Sequence, residues 1–378
     1  MTTSSRSSFW VASRAGATLT IDLPALADNY RFLKKKVGNT ICAAVVKADA
    51  YGLGVEQVAP VLEAAGVEEF FVAHVDEGIR LKSIVSSNAK ITVLHGFRPD
   101  SVEECIAYGL RPVLNNLEQI QLWKKAATRQ ERMLDAVLQV DSGMSRFGLS
   151  QKDVEYLAEH PEAFTGVKTS LIMSHLACAD DPSSAENKHQ LKQFKERSAL
   201  LPKAPQSLAA SSGIFLGPDY YLDLVRPGAA LYGLAPNNVS SNPMKPVIRL
   251  QGRVVQIRDV QPGDGVGYGM SYRPDRPRKI AIVAVGYADG FARHNAGKGC
   301  AWFENIKLPI VGRISMDSLA VDVSELPESS LNLDMMLDLI GPHRSVDDVA
   351  DAAGTIGYEI LTSLGHRYER NYITFKKG

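Results

Sequence analysis

Between residues 41 and 232 short apolar runs alternate with amphipathic stretches, and this alternation restricts the fold more than any other property of the chain. The runs fall at 41–46, 70–74, 91–95, 111–114, 134–141, 168–176, 207–211 and 221–226. A short, nearly unbroken apolar run reads as a strand buried on both faces, and such strands belong to parallel sheets whose crossovers are helices. Helical patterns lie between them at 55–65, 100–108, 116–129, 151–159 and 184–201. Eight βα units in about 190 residues predict a compact (β/α)8 TIM barrel in the α/β class.

After Pro246 the pattern changes to long alternating runs, VIRLQGRVVQIRDV, RKIAIVAVGYADGF and SLAVDVSEL, separated by Gly and Pro turns. Period-two alternation of this kind predicts a mostly-β, antiparallel domain. The segment 345–365 reads as two short helices, with Ser345 as N-cap of the first. The linker-like PNNVSSNPMKP places the boundary near 236–246. The expected organisation is a loose tail at 1–16, a barrel domain at 17–240 and a β-rich domain at 241–378; a chain of 378 residues is too long for one ordinary core.

Lys plus Arg equals Asp plus Glu at 42 each, so no polyanion such as nucleic acid is implied as a partner. Cys42, Cys105, Cys178 and Cys300 form no CxxC pair, which points away from zinc ribbons and disulfide frameworks and towards a reducing, cytoplasmic compartment. No apolar run reaches membrane-spanning length, and the N-terminal segment lacks the apolar core of a secretory signal.

In a barrel of this type chemistry sits just beyond the strand C-termini. The unusual residues fall there. Lys47 follows the first run, Arg146 the fifth, His175 ends the sixth, Ser211 and Ser212 follow the seventh and Arg226 the eighth. A lysine at the mouth of a core strand costs desolvation, which lowers its pKa and favours the free amine needed for a Schiff base or for proton abstraction. Taken singly, Lys47 could simply reach water, and His175 could be a satisfied core histidine. Such residues at five strand ends on one rim require a common explanation. The loops after strands seven and eight commonly bind phosphate in this fold, and Ser212-Gly213 and Pro227-Gly228 suit that need, although N-cap and turn chemistry would use the same residues. A Schiff-base lysine beside a phosphate cradle points to pyridoxal 5'-phosphate.

AVVKADAYGLG (44–54), VDSGMSRFG, SHLACADD, VRPGAALYG, VGYGMSY (266–272), VGYADG (285–290) and VGRISMD (311–317) together resemble bacterial alanine racemase, in order and from about residue 17 onward. The resemblance implies a barrel followed by a β domain, pyridoxal phosphate bound covalently to Lys47, and a head-to-tail homodimer with shared active sites. It implies that Tyr51, Ser211, Ser212, Gly213, Gly228 and Ala229 hold the phosphate and that Arg226 faces the pyridine nitrogen. A guanidinium does not readily protonate that nitrogen, so side reactions that need full carbanion delocalisation are restrained.

Racemisation requires proton transfer on both faces of Cα. By the resemblance Lys47 serves the D-alanine face and Tyr268 of the other subunit the L-alanine face. A phenol ordinarily titrates at about 10, so a hydrogen-bonded chain through His175 to Arg226 is expected to assist it. Arg146 and the backbone of Met316 from the partner are expected to receive the substrate carboxylate, and Tyr268, Tyr287 and Met316 to leave room for a small side chain. The implied role is supply of D-alanine for peptidoglycan, with serine as a minor substrate.

This chain departs from the family pattern at Gln139, where many relatives carry a carbamylated lysine that braces the arginine, and here Gln139 with a bound chloride is expected to hold Arg146. Ser211 replaces an Asn common before the phosphate helix. His366 in LGHRYER aligns with a tyrosine that touches the phosphate region in relatives. Other readings of the same residues are a broad-specificity or serine racemase, a non-catalytic cofactor-binding barrel, which would need neither Tyr268 nor a second domain, and a decarboxylase of related fold, whose pyridine partner would be acidic.

Overall fold

The computed structural model describes residues 14–375. Most of the tail expected at 1–16 lies outside the described residues. The chain divides into two compact units, Leu26–Met244 and the pairing of residues 14–25 with residues 245–375.

The first unit is a curled parallel sheet. Strands Ala44–Val45, Glu69–Val72, Lys90–Val93, Arg111–Leu114, Leu134–Gln139, Val167–Met173 and Gln206–Ser207 lie side by side in chain order, and Leu224–Val225 pairs in parallel with Ile41–Cys42. Backbone bonds from Asp223 N to Gln206 O and Arg226 N to Ala209 O join the eighth strand to the seventh, while Ala43 N to Val225 O and Val45 N to Pro227 O join it to the first. All eight apolar runs are therefore strands at the expected places.

The reason is visible in the burial. Phe70, Phe71 and Val72 are buried in succession, as are Val113 and Leu114, so both faces of each strand are covered. Each large side chain buried this way contributes about 1.5–3 kcal/mol. The helix Leu117–Arg129 buries Ile120, Trp123, Ala126 and Ala127, one face at helical spacing, and Asn116 caps it by accepting the Gln119 N–H at 2.9 Å. The helix Val75–Lys82 completes the crossover between Glu69–Val72 and Lys90–Val93, and Leu23–Val37 leads into the first barrel strand; neither is among the helices expected from the sequence.

The second unit is an eight-stranded sheet. Its order is Arg278–Val283, Leu319–Asp322, Ile306–Val311, Cys300–Phe303, Met336–Ile340, Ile248–Val260, Ala17–Asp22 and Glu369–Ile373, antiparallel except for the last pair. Ile248–Val260 also pairs with Arg278–Val283, bending the sheet onto itself. Ser345 caps Val346–Ala353 through a reciprocal bond with Asp348, as expected.

One boundary differs. The strand Ala17–Asp22, which the sequence reading assigned to the barrel, pairs with Ile248–Val260 on one side and Glu369–Ile373 on the other. Its alternating burial suits a sheet with one covered face, unlike the two-sided burial of the barrel strands.

Candidate active site

Lys47 opens a turn of unusual geometry. Ala48, Asp49, Ala50 and Tyr51 all have φ between 54° and 56°, a left-handed helical turn built without glycine. Such a conformation costs about 1–2 kcal/mol per residue, so the surroundings must hold it. Glu77 does so from one side: its carboxylate accepts the N–H groups of Ala48 (2.7 Å), Ala73 (2.7 Å) and His74 (3.1 Å). Asp49 accepts the Val55 N–H at 3.0 Å and pairs with Arg80 at 3.0 Å. The turn ends by directing Tyr51 inward, where its ring stacks on Tyr232 at 4.5 Å. The Tyr232 hydroxyl in turn donates to Val45 O at 3.0 Å.

The Lys47 amine is half-buried, and its pKa is lowered by burial and then by Arg146, with Glu77 opposing. His175 feels the same neighbourhood. Burial pushes it down to about 3, helped by the charges of Arg226, Arg146 and Lys47, so it is a neutral imidazole at ordinary pH. These four expected residues thus share one electrostatic environment on the rim.

Arg226 is fully enclosed. It donates to the Ser207 hydroxyl and to the backbone oxygens of Ser174 (2.6 Å) and Leu208 (3.4 Å). Burial lowers its pKa to about 10, which leaves it cationic at neutral pH. The hydrogen bond expected between His175 and Arg226 is not formed; the guanidinium is already engaged by the ends of strands six and seven, and its charge acts on His175 by disfavouring protonation of the imidazole.

The short turn Ser211–Ile214 presents the N–H groups of Ser212 and Gly213 without backbone acceptors. Ser211 has a second duty that its position in the sequence does not reveal. Its hydroxyl oxygen accepts the N–H groups of Gly228 (3.0 Å) and Ala230 (3.1 Å), tying the loops after strands seven and eight together. Gly228 contributes space rather than a donor, because a Cβ there would lie 2.4 Å from the Tyr51 hydroxyl.

Arg146 stands in an exposed loop organised by Asp141, whose carboxylate accepts the N–H groups of Gly143, Met144 and Ser145 at 2.9, 3.0 and 3.1 Å. Gln139 is buried on its strand, and no hydrogen bond joins it to Arg146, contrary to expectation: one side chain is enclosed by the sheet and the other projects from the loop. His366 is exposed and makes no hydrogen bond with a described residue.

In the second unit Tyr268 sits in the turn Tyr268–Met270 and is 70% exposed, with Met316 at 53% and Tyr287 also exposed. Their loops are firmly built. Tyr287 N donates to Ser315 O (3.1 Å) and Ala288 N to Met316 O (2.9 Å), while Arg367 bridges Asp289 (2.6 Å) and Asp317 (2.7 Å). Arg367, Glu77, Asp141 and Ser207 were not anticipated. The carboxylates of Glu77 and Asp141 sit at strand ends or helix starts, which is the signal that could have found them.

A part-buried lysine at the rim of a parallel barrel, within electrostatic reach of an arginine, together with an antiparallel second unit, marks the class of barrel proteins that carry a rim lysine and a β-rich second unit. Residues 21–236 match the family described as alanine racemase, N-terminal domain, and residues 247–372 the alanine racemase C-terminal domain. A catabolic alanine racemase of Mesorhizobium japonicum is 50% identical over 366 residues, covering 96% of each chain. Another from Agrobacterium fabrum is 46% identical, covering 96% of this chain and 93% of its own. The crystal structure of alanine racemase from Bartonella henselae with covalently bound pyridoxal phosphate is 43% identical with a TM-score of 0.92, covering 95% of this chain and all of that one. The biosynthetic alanine racemase of Pseudomonas aeruginosa has a TM-score of 0.88 at 32% identity, over 95% of this chain and all of that one. The chain belongs to the alanine racemase family, whose members are isomerases.

Proposed function

We propose that this chain interconverts L- and D-alanine with pyridoxal phosphate as cofactor, Lys47 acting on one face of the substrate and Tyr268 of the partner subunit, in a homodimer, on the other. The observation that carries this reading is Lys47: an amine with lowered proton affinity, fixed on a strained turn at the barrel rim.

The residues suit the cofactor. The open N–H groups of Ser212 and Gly213, the Ser211 hydroxyl, Ala229 at the start of the next turn, and the Tyr51 hydroxyl seated in the space over Gly228 form a cradle for a phosphate dianion. When bound, pyridoxal phosphate supplies an aldehyde for covalent capture of an amino group and a ring that withdraws electron density from Cα.

Lys47, low in pKa, accepts or returns the Cα proton on its face. Tyr268 does the same from the partner. Arg226 stays cationic and presents a donor that holds its proton, while His175 remains neutral and uncharged between cations. Arg146 and the Met316 N–H of the partner subunit receive the substrate carboxylate, and Tyr287 with Met316 limits the side chain to a methyl or hydroxymethyl group. A chloride near Arg146 and Gln139 would supply the negative charge that neither residue carries.

A racemase lowers the barrier equally in both directions, so its role is set by what consumes the product. D-alanine supply for peptidoglycan is the role the sequence motifs imply; the relatives named catabolic favour a role in alanine breakdown, and we adopt that second role for this chain. A deletion strain should lose growth on one alanine enantiomer as carbon source, the one that the consuming enzyme does not accept, while needing no D-alanine supplement; a strict supplement requirement would restore the cell-wall role. A cytoplasmic site of action fits both, and no described helix is long and apolar enough to cross a membrane.

Lys47→Ala should abolish both racemisation and the visible absorption of lysine-bound cofactor. Tyr268→Phe should suppress Cα proton exchange more from L-alanine than from D-alanine. Equal suppression would reject the assignment of faces.

A further inference from the structure

The loop carrying Arg146 is well fixed at its base and unfixed at its tip. Asp141 holds residues 143–145, and Leu149 returns to the sheet through bonds to Gln139 O (2.7 Å) and Asp141 N (3.0 Å). Residues 146–148 form no hydrogen bond, and Arg146 forms no ion pair with any described residue. What the tip does contact is a row of rings. The Arg146 guanidinium carbon lies 5.8 Å from the centroid of Phe147; the Phe147 ring leans on His95 at 5.0 Å; and His95 meets the edge of His74 at 4.6 Å and 87°. His74 is anchored in its turn, since Glu77 binds its N–H together with that of Ala48 in the Lys47 turn. The row therefore runs from the lysine turn to the arginine loop.

We propose that His95 is a positioning residue: wedged between His74 and Phe147, it fixes the ring on which the Arg146 guanidinium rests and so sets where the rim cation meets the substrate carboxylate. The assignment rests on the proposed carboxylate-binding role of Arg146. Aromatic rings can do this work here because the buried Gln139 offers Arg146 no charge and no hydrogen bond. Phe147 is 40% exposed, which leaves one face of its ring open to the Arg146 guanidinium. His95 suits the middle of the row, because burial, His74, Lys47 and Arg146 all hold its pKa down against the opposing pull of Glu77, which leaves it a neutral ring able to stack beside two cations.

The test uses the holoenzyme. With His95→Leu, KM for L-alanine and the inhibition constant of propionate, a carboxylate without an amino group, should rise together by about three- to tenfold, with kcat changed less than about twofold. His95→Phe should restore both constants to near the unmodified values. Phe147→Leu should reproduce His95→Leu, and it stands in should that variant fold poorly. Unchanged constants in both Leu variants, while Arg146→Lys raises them, would overturn the aromatic row and leave the carboxylate role of Arg146 intact. Unchanged constants in Arg146→Lys would overturn the carboxylate role and with it the row. A His95→Phe variant as impaired as His95→Leu would also overturn the proposal, since it would show that the imidazole nitrogens matter rather than the ring.

Discussion

His175 illustrates how the fold alters a single residue. Its pKa of about 3 in the folded chain lies below the ordinary 6.5 of an unfolded one. Between those values the unfolded chain binds a proton that the folded chain refuses, so stability is whole above 6.5 and declines as the pH falls towards 3. The midpoint of urea unfolding should therefore drop between about pH 7.5 and about 4.5, and drop less in His175→Gln; equal drops would show that other groups control the acid response. Gly228 is the second sensitive position. The Cβ of Gly228→Ala would press on a Tyr51 hydroxyl whose ring is already stacked on buried Tyr232, and overpacking of this kind costs about 1–3 kcal/mol. Titration with pyridoxal phosphate should show at least about tenfold weaker binding, with the fold retained by circular dichroism.

At the scale of elements, the turn from Lys47 to Tyr51 is the clearest case of local conformation imposed from outside. Four consecutive non-glycine residues with positive φ are held by a carboxylate three elements away in the chain. Replacing Glu77 by Gln removes the charge from three hydrogen bonds while keeping one acceptor oxygen, and the part-exposed site reduces the effect to about 1–2 kcal/mol. Urea unfolding of Glu77→Gln would measure this, and hydrogen exchange should quicken at Ala48 and Ala73 before it does elsewhere. A stability loss without faster exchange at those amides would place the role of Glu77 somewhere other than the turn. The motif KADAYGLG was readable from the sequence, yet its left-handed turn was not, because alanine and tyrosine disfavour that region and aspartate enters it only as a single residue, not in a run of four.

At the scale of the molecule, the pairing of Ala17–Asp22 with strands more than 200 residues downstream makes the N-terminal strand part of the second unit. A fragment beginning at residue 245 should consequently remain unfolded or aggregate, exposing the unpaired edges of Ile248–Val260 and Glu369–Ile373, and should recover β structure by circular dichroism when residues 14–25 are fused to it. A fragment that folds without them would show the strand to be dispensable. The sequence by itself determined the eight barrel strands, the change to antiparallel structure after Pro246, the Ser345 cap, and the rim positions of Lys47, Arg146, His175 and Arg226. Each of these depends on periodicity or on neighbours close in the chain. Only the tertiary structure decided that Ser211 binds the Gly228 loop, that Arg367 joins Asp289 to Asp317, that Gln139 and Arg146 do not meet, and that His74, His95 and Phe147 stand in a row. Contacts between distant segments leave no period in the chain, and polar partners are chosen by which strand ends the closed sheet brings together.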